Sequence, residues 1–260
     1  TVLILTRNTV EDIMIASVEG QLSDAHNAEL LSYIKANNLE ETFAYYKATI
    51  LKADTTVIYP KKQKLKVNYK IIDNDNKAVV NETKEFEFKE PSAIEFSATI
   101  NNVKTWSAEH PNLYTLLITT TDKKGNTLEA IPTKIGFRTV EIKQGLLLLN
   151  GQRITLKGVN TQEANPETGH VVSEEQIIRD ITLWKENNIN AARLSHYPQQ
   201  EKFYELCDKY GIYVVDESNI ESHGMYYGKH SLAKKPEWQN AHVDRMTRLV
   251  ARDKNHASVI

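Results

Sequence analysis

The sequence predicts two domains of different type, an antiparallel β sandwich over residues 1–136 and a parallel α/β unit over residues 137–260. Three observations support this division. The length of 260 residues suits one or two domains. Residues 52–138 alternate apolar and polar side chains between clusters of turn formers. From Gly145 onward, short apolar runs alternate with amphipathic segments, which is the pattern of strands joined by helices.

The predicted sandwich strands are residues 64–72, 93–100, 114–120 and 133–142. Leu65, Val67 and Tyr69 recur with a period of two, which directs one face of a strand toward a core. Runs rich in Asp, Asn and Gly at 73–76 and 122–126 predict turns. In the first fifty residues, 3–5 and 13–15 suit strands whereas 25–36 and 40–47 suit helices, so their type stays open.

The second half begins with a hairpin and continues as a βαβαβαβ series. Asn150-Gly151 is a two-residue hairpin turn between predicted strands 146–149 and 154–156. The predicted series is a strand reaching 159, helix 173–187, strand 190–194, helix 199–210, strand 212–215, helix 237–255 and a strand from 258. Ser173 with Gln176 forms a capping box, and Gly211 ends the second helix. These residues amount to about half of a full (β/α)₈ barrel, which typically has ~250.

Composition excludes several classes of function. The net charge of −2 gives no electrostatic footprint for nucleic acid. No apolar run approaches the ~20 residues that span a bilayer, so no membrane segment is expected. The single cysteine, Cys207, fits a reducing compartment, and the first residues do not resemble a signal peptide. A cytoplasmic location is therefore expected.

Three polar clusters follow the predicted parallel strands. They are residues 158–163, 193–198 and 216–225. Because functional groups of parallel α/β folds gather at the carboxyl ends of the strands, these clusters predict an active-site mouth. Its carboxylates include Glu163, Asp216 and Glu217. Two such carboxylates can act together, one as an acid and one as a base or nucleophile, but spacing does not select a pair.

Individual residues of these clusters each allow two interpretations. Glu221 and His223 lie two apart and can point the same way, either to share a divalent ion such as Mg²⁺ or to form a hydrogen-bonded loop. His196 can contact a substrate hydroxyl or be satisfied by the backbone at its strand end. Arg193 can form an ion pair with a carboxylate such as Glu217.

Several stretches resemble glycoside hydrolase family 2, and within it the large β-galactosidases. They are Trp106-Ser-Ala-Glu-His-Pro-Asn-Leu-Tyr114, Gly136-Phe-Arg138, Lys157-Gly-Val-Asn160, Arg193-Leu-Ser-His-Tyr-Pro198, Asp216-Glu-Ser-Asn-Ile-Glu-Ser-His-Gly-Met225 and Arg252-Asp-Lys-Asn-His256. They occur in family order across residues 90–260. The resemblance implies an immunoglobulin-like β sandwich over residues 1–136, followed by an incomplete TIM barrel, the N-terminal half, over residues 137–260.

The resemblance also implies an activity and a site. It implies retaining hydrolysis of terminal β-D-galactose, with Glu221 and His223 as ligands of Mg²⁺. His196, Gln162 and Glu163 are the implied substrate-binding residues. Gln162 departs from the family, which commonly has histidine there, so an amide replaces a group that can carry charge. The intact enzyme is expected to be a homo-oligomer with a β-galactoside as its substrate.

The resemblance assigns neither catalytic glutamate to these residues. The family's acid/base Glu and nucleophile Glu follow the strand that begins at Ser258, so the 260 residues alone are predicted to be inactive. Two alternatives remain. The sugar can be a β-glucuronide or a β-mannoside, as in other members of the family, or the chain can serve as a non-catalytic carbohydrate-binding or structural module.

Overall fold

The structure is a computed structural model that describes residues 63–88, 94–225 and 228–260. Predictions for the first fifty residues lie outside these ranges. The strands in chain order are β1 Gln63–Ile72, β2 Ala78–Phe88, β3 Tyr114–Thr121, β4 Thr127–Ile135, β5 Val140–Lys143, β6 Leu146–Leu149, β7 Gln152–Arg153, β8 Gly158–Thr161, β9 Ala191–Leu194 and β10 Tyr213–Val215. The helices are α1 Glu174–Glu186, α2 Glu201–Tyr210 and α3 Gln239–Asp253, with 3₁₀ turns at Gly228–His230, Leu232–Lys234 and Pro236–Trp238. None of the described helices is long and apolar enough to cross a membrane.

The first sheet is antiparallel, with strand order β2-β1-β3-β4. Alternate residues of β1 are buried, as their period of two predicts: Val67, Tyr69 and Ile71 face a core that β3 completes with Tyr114 and Leu116. The predicted turns are present at both hairpins. In the β1–β2 turn the Asp73 carboxylate accepts from two backbone N–H groups, and Asp122 does the same between β3 and β4.

Two strand predictions in this half are wrong. The predicted strand at 93–100 is irregular from residue 94 onward, because Phe96 stacks on Tyr69 at 5.2 Å and lies under the Lys84 ammonium. Its apolar residues therefore cover the face of the sheet instead of pairing with an edge. The edge strand that pairs with β1 is β2, which the sequence did not reveal because most of its side chains are charged or polar and exposed.

The predicted strand at 133–142 is divided into β4 and β5. The interruption falls at Gly136, where an added Cβ would lie 2.6 Å from the Ala257 Cβ and 3.0 Å from the Trp106 Cβ. The Trp106 N–H also donates to the Phe137 carbonyl at 2.8 Å. Here the first sheet packs directly on the second half of the chain, and that contact ends β4. β5, β6 and β7 then form a small antiparallel sheet with Asn150-Gly151 as its predicted turn, and β7 has two residues in place of the predicted 154–156.

The second half is a parallel sheet covered by helices. Its strand order is β10-β9-β8, and Val259 extends it by a parallel bridge to Val214, as the predicted strand from Ser258 requires. Ile177 and Ile181 of α1 pack with Phe203 and Leu206 of α2 against the strands. This is consecutive βα winding, which builds a barrel from neighbouring parallel strands.

The helix predictions are confirmed to within a few residues at their ends. Ser173 caps α1 by accepting from the Gln176 N–H at 3.3 Å, but the Gln176 side chain turns to Asn165 and the Ala164 carbonyl instead of completing the capping box. α3 begins two residues later than predicted, because a 3₁₀ turn at Pro236–Trp238 precedes it.

The two halves share a core of their own around Trp106. Trp106 and Ala108 are fully buried with Leu149, Ala191 and Tyr213, and the Trp106 indole N–H donates to the Asp208 carbonyl at 2.8 Å. Lys185 on α1 donates to the Ala108 carbonyl at 3.0 Å. The division at residue 136 remains a prediction, and around it the segments on both sides are tightly packed.

We predict that Gly211→Ala destabilises the protein much more than Gly125→Ala. Both glycines have positive φ, +76° and +86°, where a side chain costs about 1–2 kcal/mol. An added Cβ at Gly211 would also stand 2.2 Å from the Ala108 carbonyl oxygen, whereas nothing lies within 4 Å at Gly125. Urea unfolding of the two variants measures the difference. Equal losses of unfolding free energy would show that the close contact between Gly211 and Ala108 does not affect stability.

Candidate active site

The polar clusters meet at one edge of the parallel sheet, as their positions after the strands predict. In the register of the sheet, Arg193 lies opposite Asn160 of β8 on one side and Val215 of β10 on the other. The side chains that follow Val215 therefore emerge beside those that follow Arg193. Arg193 NH1 donates to the Asn160 Oδ1 at 3.4 Å across this edge.

Arg193, His196 and Glu217 form the centre of the mouth. The Arg193 guanidinium contacts Glu217 Oε2 at 2.6 Å, so the predicted ion pair is confirmed. The other carboxylate oxygen of Glu217 lies 3.1 Å from His196 Nδ1. All three side chains are partly exposed, at 41% for Arg193, 40% for His196 and 24% for Glu217. The cluster is thus ordered by its own contacts and open to a ligand.

The His196 tautomer sets what this imidazole can offer. Its Nδ1 lies 3.1 Å from a carboxylate oxygen of Glu217 and 3.2 Å from an N–H donor of Arg193. If Nδ1 carries a proton it donates to Glu217, and Nε2 is then an acceptor for a hydroxyl proton. If Nδ1 is bare it accepts from Arg193, and Nε2 is a donor. Either state can bind a hydroxyl group.

Glu163 is held by the segment that follows His196. Its Oε1 accepts from the Gln200 N–H at 2.9 Å, just ahead of the N-terminus of α2, where negative charge is favourable. Its own N–H lies 3.2 Å from the Tyr197 hydroxyl. Gln162 is exposed and lines a small pocket with Glu163, Gln199 and Phe203. Gln162 is therefore available to a ligand, whereas one oxygen of Glu163 is already committed.

Glu221 and His223 form a pair further along the loop after β10. Glu221 Oε1 and His223 Nδ1 are 3.6 Å apart, and the side chains are 30% and 86% exposed. Two ligands of one octahedral Mg²⁺ stand about 3 Å apart, so a small adjustment brings both atoms onto one ion. Among the described residues, no group of three or more His, Cys, Asp or Glu side chains converges on a common point. The pair therefore fits two positions of a coordination shell, with the others open to water or further ligands.

Asp216 does not line the mouth, although the sequence grouped it with Glu163 and Glu217. Its Oδ1 accepts from the Tyr204 hydroxyl on α2 and from the Glu217 N–H, each at 2.9 Å. Tyr204 in turn accepts from Arg252 NH2 at 2.9 Å. The alternation of side chains along an extended segment could have revealed this, because Asp216 and Glu217 must point to opposite sides.

The fold and the mouth define a barrel-type α/β enzyme domain joined to a β-sheet domain. The family model described as glycosyl hydrolases family 2, TIM barrel domain, matches residues 140–260, and the model described as glycosyl hydrolases family 2 matches residues 33–138. Together they account for most of the chain. The chain belongs to glycosyl hydrolase family 2.

Relatives of known name are similar over more than half of the chain. A β-galactosidase of Photobacterium profundum is 48% identical over 161 residues, which are 62% of this chain and 16% of that protein. A β-galactosidase of Streptococcus thermophilus is 48% identical over 176 residues, 64% of this chain and 17% of that protein. The chain thus spans about a sixth of the length of these relatives.

Among solved structures, a β-glucuronidase from Ruminococcus gnavus in complex with D-glucuronic acid matches with a TM-score of 0.60 and 28% identity. The match covers 75% of this chain and 31% of that one. A β-glucuronidase of Bacteroides uniformis shares the fold with a TM-score of 0.65 at 23% identity, over 77% of this chain and 24% of that one.

We predict that Glu217→Gln destabilises the protein by about 1–2 kcal/mol, because it removes the anion that Arg193 and His196 share. The value stays at the low end, since solvent screens the partly exposed Arg193. Glu205→Gln is the matched control: Glu205 is 56% exposed in a pair with Lys202, and its loss should cost less than ~0.5 kcal/mol. Thermal unfolding of both variants tests the difference, and equal losses would contradict it.

Proposed function

We propose that this chain is part of a retaining β-galactosidase that hydrolyses terminal, non-reducing β-D-galactose. The observation that carries the proposal is the convergence of Arg193, His196 and Glu217 at the strand ends of a family 2 barrel. Relatives named β-galactosidase, which are 48% and 50% identical over the matched residues, support the choice of sugar. Retention requires two carboxylates roughly 5 Å apart, one as nucleophile and one as acid/base.

Within this mechanism the described residues bind and orient. The partly exposed His196 imidazole can accept from or donate to a sugar hydroxyl, and the Gln162 amide can do both at once. Glu163 keeps one oxygen on Gln200, so it fits a fixed hydroxyl acceptor better than a nucleophile. Glu217 is shared between Arg193 and His196 and orients both. We assign neither the nucleophile nor the proton donor to these residues.

Charge at the mouth favours a neutral sugar over a glucuronide. Arg193 would be a natural partner for a sugar carboxylate, but it is neutralised by Glu217 at 2.6 Å. A glucuronide would have to compete with that carboxylate and bring a second negative charge next to it. Because β-glucuronidases are among the similar solved structures, a β-glucuronide is the second candidate substrate.

We also propose that Glu221 and His223 hold a Mg²⁺ ion. The 3.6 Å separation of Oε1 and Nδ1, the exposure of both side chains and their position after β10 support this assignment. A bound Mg²⁺ would supply positive charge that orients nearby acidic groups and hydroxyls. The remaining ligands would be water and groups from outside the described residues.

The sugar is tested with chromogenic glycosides. We expect a protein of the full length of the relatives that contains this chain to hydrolyse p-nitrophenyl β-galactoside at least tenfold faster than the β-glucuronide or β-mannoside. The 260-residue chain alone should give no turnover, because both catalytic carboxylates are assigned outside it. Faster glucuronide hydrolysis would establish the second candidate. Binding of galactose without turnover by the longer protein would indicate a carbohydrate-binding module.

The metal site is tested by direct binding. We expect Glu221→Gln to weaken binding of Mn²⁺, a paramagnetic substitute for Mg²⁺, by ~10-fold or more, since a carboxylate ligand becomes a weaker amide. His223→Gln should act in the same direction. The controls are Glu237→Gln and His230→Gln, exposed residues of the same types. Electron paramagnetic resonance of free Mn²⁺ gives the affinity without any reference to turnover. Unchanged affinity in both test variants would refute the site.

A further inference from the structure

Asp216 and Asp253 form a buried pair of carboxyl groups behind the mouth. Asp253 lies at the end of α3 with its side chain 1% exposed, and hydrogen bonds link it to Asp216: Arg252 donates both to Asp253 and to the Tyr204 hydroxyl, which donates to Asp216. One oxygen of each is satisfied: Asp216 Oδ1 by Tyr204 and Glu217, and Asp253 Oδ1 by Arg252 Nε at 2.6 Å. The other oxygen of each, Oδ2, is buried and has no hydrogen-bond donor among the described residues.

A single proton between the two Oδ2 atoms would give both of them a hydrogen-bond partner. Two ionised carboxylates would leave two buried acceptors unpaired and place like charges side by side. A single proton between the groups makes one carboxyl a donor and the other its acceptor. Such sharing is the usual state of two carboxyl groups that cannot both ionise.

The charges around the pair agree with one retained proton. α2 contributes the Tyr204 hydroxyl, α3 contributes Arg252, and Glu217 continues the chain after Asp216. Beyond Tyr204 lie His256 and Asp208, which are paired with each other at 2.7 Å. Within the described part of the chain, Arg252 is the cation in direct contact with the pair, so one shared proton leaves one negative charge beside one positive charge.

We propose that at mildly acidic pH Asp216 and Asp253 share one proton and that they act together as positioning residues for Glu217. This rests on the proposed function for its catalytic meaning. Asp216 is drawn inward by Asp253 and Tyr204, and its Oδ1 accepts the Glu217 N–H. The Glu217 side chain then points the other way, toward Arg193 and His196. Burial, and next the contact with Asp253, raises the pKa of Asp216 to about 6, in agreement with a retained proton.

The sign of the pH dependence follows from this raised pKa. Between pH 4 and pH 6 the folded protein holds a proton that the unfolded chain has released, so the contribution of this pair to stability is complete below about pH 4 and is lost as the pH rises through about 6. With the ordinary value of 3.8 as reference, the loss of this contribution should increase the unfolding equilibrium constant roughly 100-fold across that window, relative to a protein without the shared proton.

The experiment compares Asp253→Asn with the unaltered chain by urea unfolding from pH 4 to 7.5. The amide can donate to Asp216 as the shared proton does, so the variant should fold and lose the decrease between pH 4 and 6. Asp244→Asn is the control, since Asp244 is on the same helix but 43% exposed. It should keep the decrease. Burial lowers and the hydrogen bond to Asp208 raises the pKa of His256, with a net rise, and this contribution is common to all three proteins. Persistence of the decrease in Asp253→Asn overturns the shared proton.

The positioning role is tested separately, by nuclear magnetic resonance of the Arg193 Nε–H group. In the unaltered chain this signal should shift with a midpoint near pH 6, as the pair loses its proton, and in Asp253→Asn it should stay constant. A signal that is constant in both, or shifts equally in both, overturns the positioning role. Neither readout needs a sugar, so a failure of galactoside hydrolysis would reject the proposed function while leaving these results to decide the pair.

Discussion

The structure depends on Asp208, a buried residue of α2 that joins three separate segments. Its backbone carbonyl accepts the Trp106 indole N–H at 2.8 Å. Its carboxylate accepts from the Ser258 N–H and pairs with His256 Nδ1, both at 2.7 Å. The first domain, the second helix and the start of the next strand are therefore fixed relative to one another by one residue that is 2% exposed.

Arg138 reinforces the same junction from the other side. Its guanidinium donates to the carbonyls of His256, Ala257 and Val259. Burial lowers the pKa of Arg138 and the Asp208 charge partly offsets this, so the cation and the anion support one another. Although burial opposes it, the hydrogen bond to Asp208 raises the pKa of His256. Because α2 leads through Gly211 into β10, whatever fixes Asp208 also fixes the strand from which Glu217 emerges.

Local chemistry allowed much of this fold to be predicted. The Ser173 cap, the Asn150-Gly151 turn and the Gly211 terminus each depend on a few neighbouring residues, and all three are present. The predictions were wrong where contacts between residues far apart in the sequence determine the structure. The close approach of Gly136 to Trp106 and Ala257 interrupts the predicted strand there. At the site, strand ends predicted the Arg193–Glu217 pair. The bond from Trp106 to Asp208 spans 102 positions and leaves no local pattern.

Asp208 and the Asp216–Asp253 pair show two ways of burying an acid. Asp208 has a hydrogen-bond partner on each carboxylate oxygen, His256 on one and the Ser258 N–H on the other. Among the described residues, Asp216 and Asp253 together leave two oxygens unpaired, and Arg252 is the cation in contact with Asp253. A buried carboxyl with too few donors keeps its proton to a higher pH than usual. The number of hydrogen-bond donors, more than the depth of burial, therefore distinguishes the two buried acid sites behind the mouth.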